Sequence, residues 1–221
     1  MADRTGQPGV AEQMRSEFVA AVLLSVAVGS SAVGAGVEYR VDAANSQATV
    51  HVGKAGAFSF IGGHTHTVTT RIENGSIELD PLEPSQSRVS LAIAADGLKV
   101  SPTGEPEGDA PKVQAAMESD KVLDVGNHPR ITFDSTEVSV TTRRGDVIDV
   151  IVTGRLAIRG VTQIVSAPVH IELAGNRLTA AGRFAIKQTA FGIKPISVGG
   201  VVSVKDELAI EFSISATSNR Q

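Results

Sequence analysis

From Val37 onward, apolar and polar residues alternate with a period of two in one segment after another, with turn residues between the segments. Successive side chains of a strand point to opposite faces, so this rhythm predicts β-strands with one greasy and one wet side. Val68, Thr70 and Ile72 share a phase, Asn74-Gly75 reads as a hairpin dipeptide, and Ile77 and Leu79 follow. Val89, Leu91 and Ile93 make another strand, and Ile131 and Phe133 continue through Val138 and Val140 to a turn at Arg144-Gly145. Ile148, Val150, Val152, Leu156 and Ile158 fill the next inner face. Val165, Val169, Ile171 and Leu173 lead to the turn Gly175-Asn176, and the chain returns through Leu178, Ala180, Phe184 and Ile186. Val202 and Val204 pass through Lys205-Asp206-Glu207 into Leu208, Ile210, Phe212 and Ile214. With an opening strand around Val50 and Val52, the count is about eight strands in meander order, and closing such a sheet removes its exposed edges. The expectation is an all-β fold, an eight-stranded antiparallel barrel just wide enough to hold one ligand.

Composition narrows what such a barrel can carry. Cysteine is absent, which excludes disulfides, thiolate metal sites, cysteine catalysis and lipid attachment through an N-terminal cysteine. Tryptophan is absent and aromatics are only 4%, so a cavity must be lined mainly by Val, Ile, Leu, Ala and a few Phe, which suits aliphatic ligands. A formal net charge of −4 provides no basic field, which argues against nucleic acid or an anionic membrane surface as the main partner.

Residues 1–35 read as a signal peptide rather than part of the fold. The uncharged run FVAAVLLSVAV from Phe18 to Val28 is followed by GSSAVGAG and then by the strand-like VEYRVD, the order of h-region, cleavage region and mature start. Cleavage after Ala35 would put Val33 at −3 and Ala35 at −1. A spanning helix needs about 20 apolar residues, more than this run supplies. Met14-Arg15 opens a more conventional leader than residues 1–13, so translation is expected to start at Met14. Residues 36–221 then form the barrel domain, periplasmic or secreted, with an uncleaved anchor or a disordered tail as the other reading of the N-terminus.

One segment breaks the β rhythm. In KVQAAMESDKVLDV, Val113, Ala116, Met117 and Val122 or Leu123 fall at helical spacing, with Asp109 as a cap and Pro111 in the first turn. The preceding SPTGEPEGDAP is loop-like, and loop and helix together would lie near one mouth of the barrel, as a lid or as a plug.

Chemistry-bearing residues are few. His64 and His66 take the phase of Val68 and Ile72 if the strand already runs through them, and would then face the tunnel. There they would hydrogen-bond a head-group carbonyl, bind Zn or Cu, or pair only with backbone and water at the rim. No convincing third metal ligand is evident. His51 and His170 fall on outward phases beside Thr49 and Glu172, and His128 precedes Pro129 in a loop. The sequence has no GxSxG elbow, Walker loop or HExxH, and its acidic residues lie on outer phases or in loops, so no catalytic framework is expected. Phe58, Phe60, Phe133, Phe184, Phe191 and Phe212 supply the main aromatic bulk, and Phe191-Gly192-Ile193-Lys194-Pro195 is the favoured contact stretch, with Lys194 at the mouth.

The segments VDAANSQATVHVGKAGAFSF, KVQAAMESDKVLDVGNHPRITFDST, GRLAIRGVTQIVSAPVHIEL and FAIKQTAFGIKP, in that order, resemble the YceI-like family of polyisoprenoid-binding proteins over residues 38 to 216. The resemblance implies an exported bacterial protein with a lipocalin-like barrel whose tunnel accepts long-chain amphiphiles such as isoprenoid quinones, polyprenyl lipids or fatty amides. Many members carry Arg and Asp in the segment that here reads QTAFGI, and Gln188 and Ala190 stand at those positions. The expected function is a non-catalytic carrier. Phe58, Phe60, His64, His66, Val68, Phe133, Phe184, Phe191, Ile193 and Lys194 are its candidate contacts. No cofactor is expected beyond a bound isoprenoid lipid or quinone; transient membrane contact and a homodimer are compatible with such a cargo. A Zn or Cu site at His64 and His66, and a barrel filled by its own side chains, are the alternatives.

Overall fold

The structure is a computed structural model that describes residues 36–55, 65–104, 106–198 and 202–219. Its strands are β1 (Val37–Val41), β2 (Gln47–Ala55), β3 (His66–Arg71), β4 (Asn74–Leu79), β5 (Arg88–Ala94), β6 (Lys99–Val100), β7 (Arg130–Arg144), β8 (Val147–Ile158), β9 (Val161–Ala174), β10 (Arg177–Lys187), β11 (Ser197–Val198) and β12 (Val202–Ser218). Neighbours run β1-β4-β5-β7-β8-β9-β10-β12, every pair antiparallel, and β12 pairs back with β1 through Tyr39 opposite Ser218. The sheet therefore shuts into a ring of eight strands.

The other short strands lengthen this ring. β2 continues β1 beyond a 3-10 turn at Ala43–Asn45, β3 precedes β4 with only Ile72-Glu73 between them, and β6 continues β5 beyond a 3-10 turn at Ala95–Gly97. β2 pairs with β12 and β3, and β3 pairs with β6, so the first two broken strands keep the same neighbours along their length, while β6 keeps its neighbour on one side. Eleven of the twelve described strands thus make eight staves in the meander order that the alternation predicts, and β11 pairs with β12 off that path. Where the first stave kinks, the buried Ser46 hydroxyl donates to the Ser215 carbonyl at 3.1 Å and accepts from the Ser215 N–H at 3.0 Å, so a side chain fills the gap in the backbone ladder.

Two expectations need correction. Asn74-Gly75 is not a hairpin turn: both residues lie inside β4, paired with Ala92 and Leu91 of β5. The glycine serves close packing, since a Cβ there would stand 2.6 Å from Leu91 and 2.9 Å from the Ser90 carbonyl. The helix α1 spans Asp109–Glu118, so it stops before Val122 and Leu123, and Asp109 sits in its first turn behind a left-handed Gly108 rather than capping it. Ser119 ends it, with its hydroxyl bonded to the Ala116 carbonyl at 2.7 Å. The true hairpins join β7–β8 at Gly145-Asp146, one residue beyond the expected Arg144-Gly145, β8–β9 at Arg159-Gly160 and β9–β10 at Gly175-Asn176. Arg159 and Gly160 both have positive φ, 51° and 74°, the twist that a two-residue hairpin favours.

The interior divides lengthwise. At the end where β1 and β8 begin and β12 ends, Tyr39, Leu79, Val138, Ile148 and Ala216 pack with at most 5% exposure. At the other end Leu98, Leu123, Ile158, Ile186, Phe191 and Ile193 gather with Val113 and Met117 of α1, and we call this end the mouth. No helix among the described residues is long and apolar enough to cross a membrane.

Candidate functional site

Inward phases of the staves enclose a cavity of about 860 Å³, well inside the range of ligand sites. It runs from α1 at the mouth down to Ile171, Leu178 and Ile214, and Val50, Val52, Leu91, Ile93, Val165 and Ile210 give its walls an aliphatic surface. Two glycines leave room for rings: a Cβ at Gly154 would lie 2.5 Å from Phe133, and one at Gly182 2.5 Å from Phe212. Phe212 meets Phe184 edge to face, with centroids 6.3 Å apart.

Polar lining is sparse. Thr70 and Thr132 reach the wall from β3 and β7, and the other contributors, Lys54, His66, Asp109, Lys112 and Gln188, lie at the mouth. Asp109 and Lys112 pair with each other at 3.0 Å on α1. Gln188 opens a 3-10 turn, Gln188–Phe191, that is fastened to an irregularity in β12. The pairing of β12 with β2 shifts register between Val204 and Leu208, a bulge that frees the Lys205 carbonyl and turns Asp206 toward the 3-10 turn. Gln188 Nε2 donates to the Lys205 carbonyl at 2.7 Å, and the Thr189 N–H and hydroxyl each donate to the Asp206 carboxylate at 2.8 Å. Those two bonds, the backbone one first, hold the Asp206 carboxyl below its ordinary pKa.

Of the residues singled out from the sequence, His66, Val68, Phe133, Phe184, Phe191 and Ile193 line the cavity. Phe191 and Ile193 are 1% and 5% exposed, whereas Lys194 is exposed and absent from the lining. Phe58, Phe60 and His64 lie outside the described residues, as does the whole segment 1–35. His51 faces Glu211 at 3.8 Å on the outer surface. His170 sits outside the packed end between Asp149 at 2.6 Å and Glu172 at 3.3 Å, and hydrogen bonds to those carboxylates, Asp149 first, raise its pKa. Among the described residues, no three His, Asp or Glu side chains gather as metal donors would. The residues of α1, Lys54 and the hydrogen-bonding role of Gln188 were not anticipated; only the helical spacing of Val113, Ala116 and Met117 signalled the α1 contribution.

Residues 39–216 match the family model described as the YceI-like domain. A UPF0312 protein of Pseudomonas paraeruginosa is 27% identical over 192 residues, 82% of this chain and 89% of that protein, and a UPF0312 protein of Pseudomonas aeruginosa is 26% identical over the same spans. Among solved structures, Burkholderia cenocepacia BcnA superposes with a TM-score of 0.58 at 22% identity, covering 80% of this chain and 99% of that one. The YCEI protein of Campylobacter jejuni superposes at 0.50 with 14% identity, over 66% and 81% of the two chains. At these identities the structures establish a shared fold.

Proposed function

The chain belongs to the YceI-like domain family, and on that premise we propose that it is a non-catalytic carrier that holds the tail of a long-chain amphiphile, such as a polyisoprenoid, an isoprenoid quinone or a fatty amide, inside the barrel. The observation that carries this reading is the cavity of about 860 Å³ with walls almost wholly of Val, Ile, Leu and Phe. Burying aliphatic surface there contributes about 25 cal/mol per Å² before the entropy of association is subtracted, and it does so without regard to the details of the chain. Head-group choice falls to the few polar side chains at the mouth, His66 among them. The apolar run of residues 18–28 and the small residues after it support export, with a mature chain beginning at Gly36.

Organic extraction and mass spectrometry of protein purified from its native cells tests the reading. A single dominant long-chain species in near-stoichiometric amount is expected; a protein that yields only background lipid, and takes up none when offered, is no carrier. N-terminal sequencing of the same material is expected to begin at Gly36.

A further inference from the structure

Six polar side chains are buried in the described barrel: Ser46, Thr70, Asp80, Ser87, Gln188 and Ser218. Ser46 and Ser218 are tied to the backbone of Ser215 and Asn176, and Asp80 and Ser87 to backbone N–H groups, all away from the cavity. Thr70 lines the cavity but donates its hydroxyl to the Arg71 carbonyl at 3.2 Å. Gln188 differs. It is 7% exposed and lines the cavity, and its amide orientation is fixed because only Nε2 can donate to the Lys205 carbonyl at 2.7 Å. Among the described residues no donor pairs with Oε1. An unpaired buried acceptor carries a desolvation penalty that a ligand donor removes.

We infer that Gln188 Oε1 sets head-group specificity at the mouth: it selects amphiphiles whose head carries a neutral hydrogen-bond donor, such as an alcohol, a phenol or an amide N–H, over acceptor-only heads with the same tail. An anionic head is repelled by the amide oxygen, and one of the two Nε2 hydrogens is already given to Lys205. This deepens the carrier reading and rests on it. The same logic ranks a quinol above the corresponding quinone, since only the reduced form has hydroxyl protons to give.

The test uses the purified full chain, with diphenylhexatriene, a hydrocarbon without polar atoms, as the fluorescent occupant, and with farnesol and farnesyl methyl ether as competitors. The wild type is expected to take up the hydrocarbon and to release it to farnesol at roughly three- to tenfold lower concentration than to the ether, the worth of one neutral hydrogen bond. Gln188→Met is expected to bring the two competitors to equality, whatever its own affinity for the hydrocarbon. Failure of the wild type to bind diphenylhexatriene overturns the carrier reading itself. Uptake with equal displacement by both competitors overturns the role of Gln188 alone, as does a preference that survives in Gln188→Met and vanishes in His66→Ala. Should Gln188→Met not bind the hydrocarbon, the ratio in the wild type decides, and a ratio of one ends the proposal.

Discussion

The packed end and the mouth of this barrel are built from the same eight staves by different rules. At the packed end, β7 to β10 are long, the hairpins at Gly145-Asp146 and Gly175-Asn176 have two residues, and Ile148 and Leu178 are 0% exposed. At the mouth β12 bulges, and a helix and a 3-10 turn cross the opening held by side-chain hydrogen bonds. The Gln114 amide of α1 shows how this is done: it donates to the Leu98 carbonyl at 2.9 Å and accepts from the Val100 N–H at 2.8 Å, standing in for a strand beside β6. Backbone ladders open together, whereas side-chain clips open one at a time. Stability is therefore concentrated at one end and adaptability at the other.

That division can be broken by measurement. Ile148→Ala, at a packed position that does not line the cavity, is expected to lower the unfolding free energy by about 3 kcal/mol in urea titration. Ile210→Ala, at a half-buried wall position, should lose clearly less stability but weaken hydrocarbon uptake; equal destabilisation by both would erase the contrast. Gly154→Ala forces a methyl group against the Asp134 carbonyl and the Phe133 ring, both 2.5 Å from the Cβ position, and should destabilise by about 1–3 kcal/mol. Its thermal midpoint should fall while uptake changes through the displaced ring.

The remaining two effects are smaller and opposite in pH dependence. The carboxyl of Asp206 has its pKa lowered in the folded chain, so its contribution is present above the unfolded value near 3.8 and is lost as pH falls through the lower folded value. The gap in melting temperature between wild type and Asp206→Asn should close as the solution is acidified across that window. The imidazole of His170 has its pKa raised, so its contribution is complete below the unfolded value near 6.5 and is lost as pH rises through the folded value. The gap to His170→Gln should thus be larger at pH 5.5 than at pH 9. Acid loosens the clip at the mouth and preserves the pair outside the packed end; both gaps moving in the same direction would refute the assignment.

How far the chain could be read in advance follows the same division. Strands β7 to β10 declared themselves because a half-buried ladder must alternate, and the inward set Ile148, Val150, Val152, Leu156 and Ile158 is the one that the sequence rhythm marks. Breaks in the first three staves do not disturb that rhythm enough to be located, and Asn74-Gly75 misled because a glycine needed for close packing looks like one needed for a turn. At the site, Val68, Phe133, Phe184, Phe191 and Ile193 could be named from phase and composition. Gln188 registered only as a missing charge, because its partner is a carbonyl 17 residues along the chain, freed by a bulge that no local pattern marks.

The way β12 sits in the ring bears on biosynthesis. Its partners are β10 and, on its other flank, β1 and β2, and the hydroxyl seal of Ser46 with Ser215 joins residues 169 positions apart. Since β12 is C-terminal to every other described strand, a ribosome that has produced everything up to β10 has made a curled sheet with two raw borders and no container. Nascent chains of this kind are sticky until this stave arrives, so closure waits for β12.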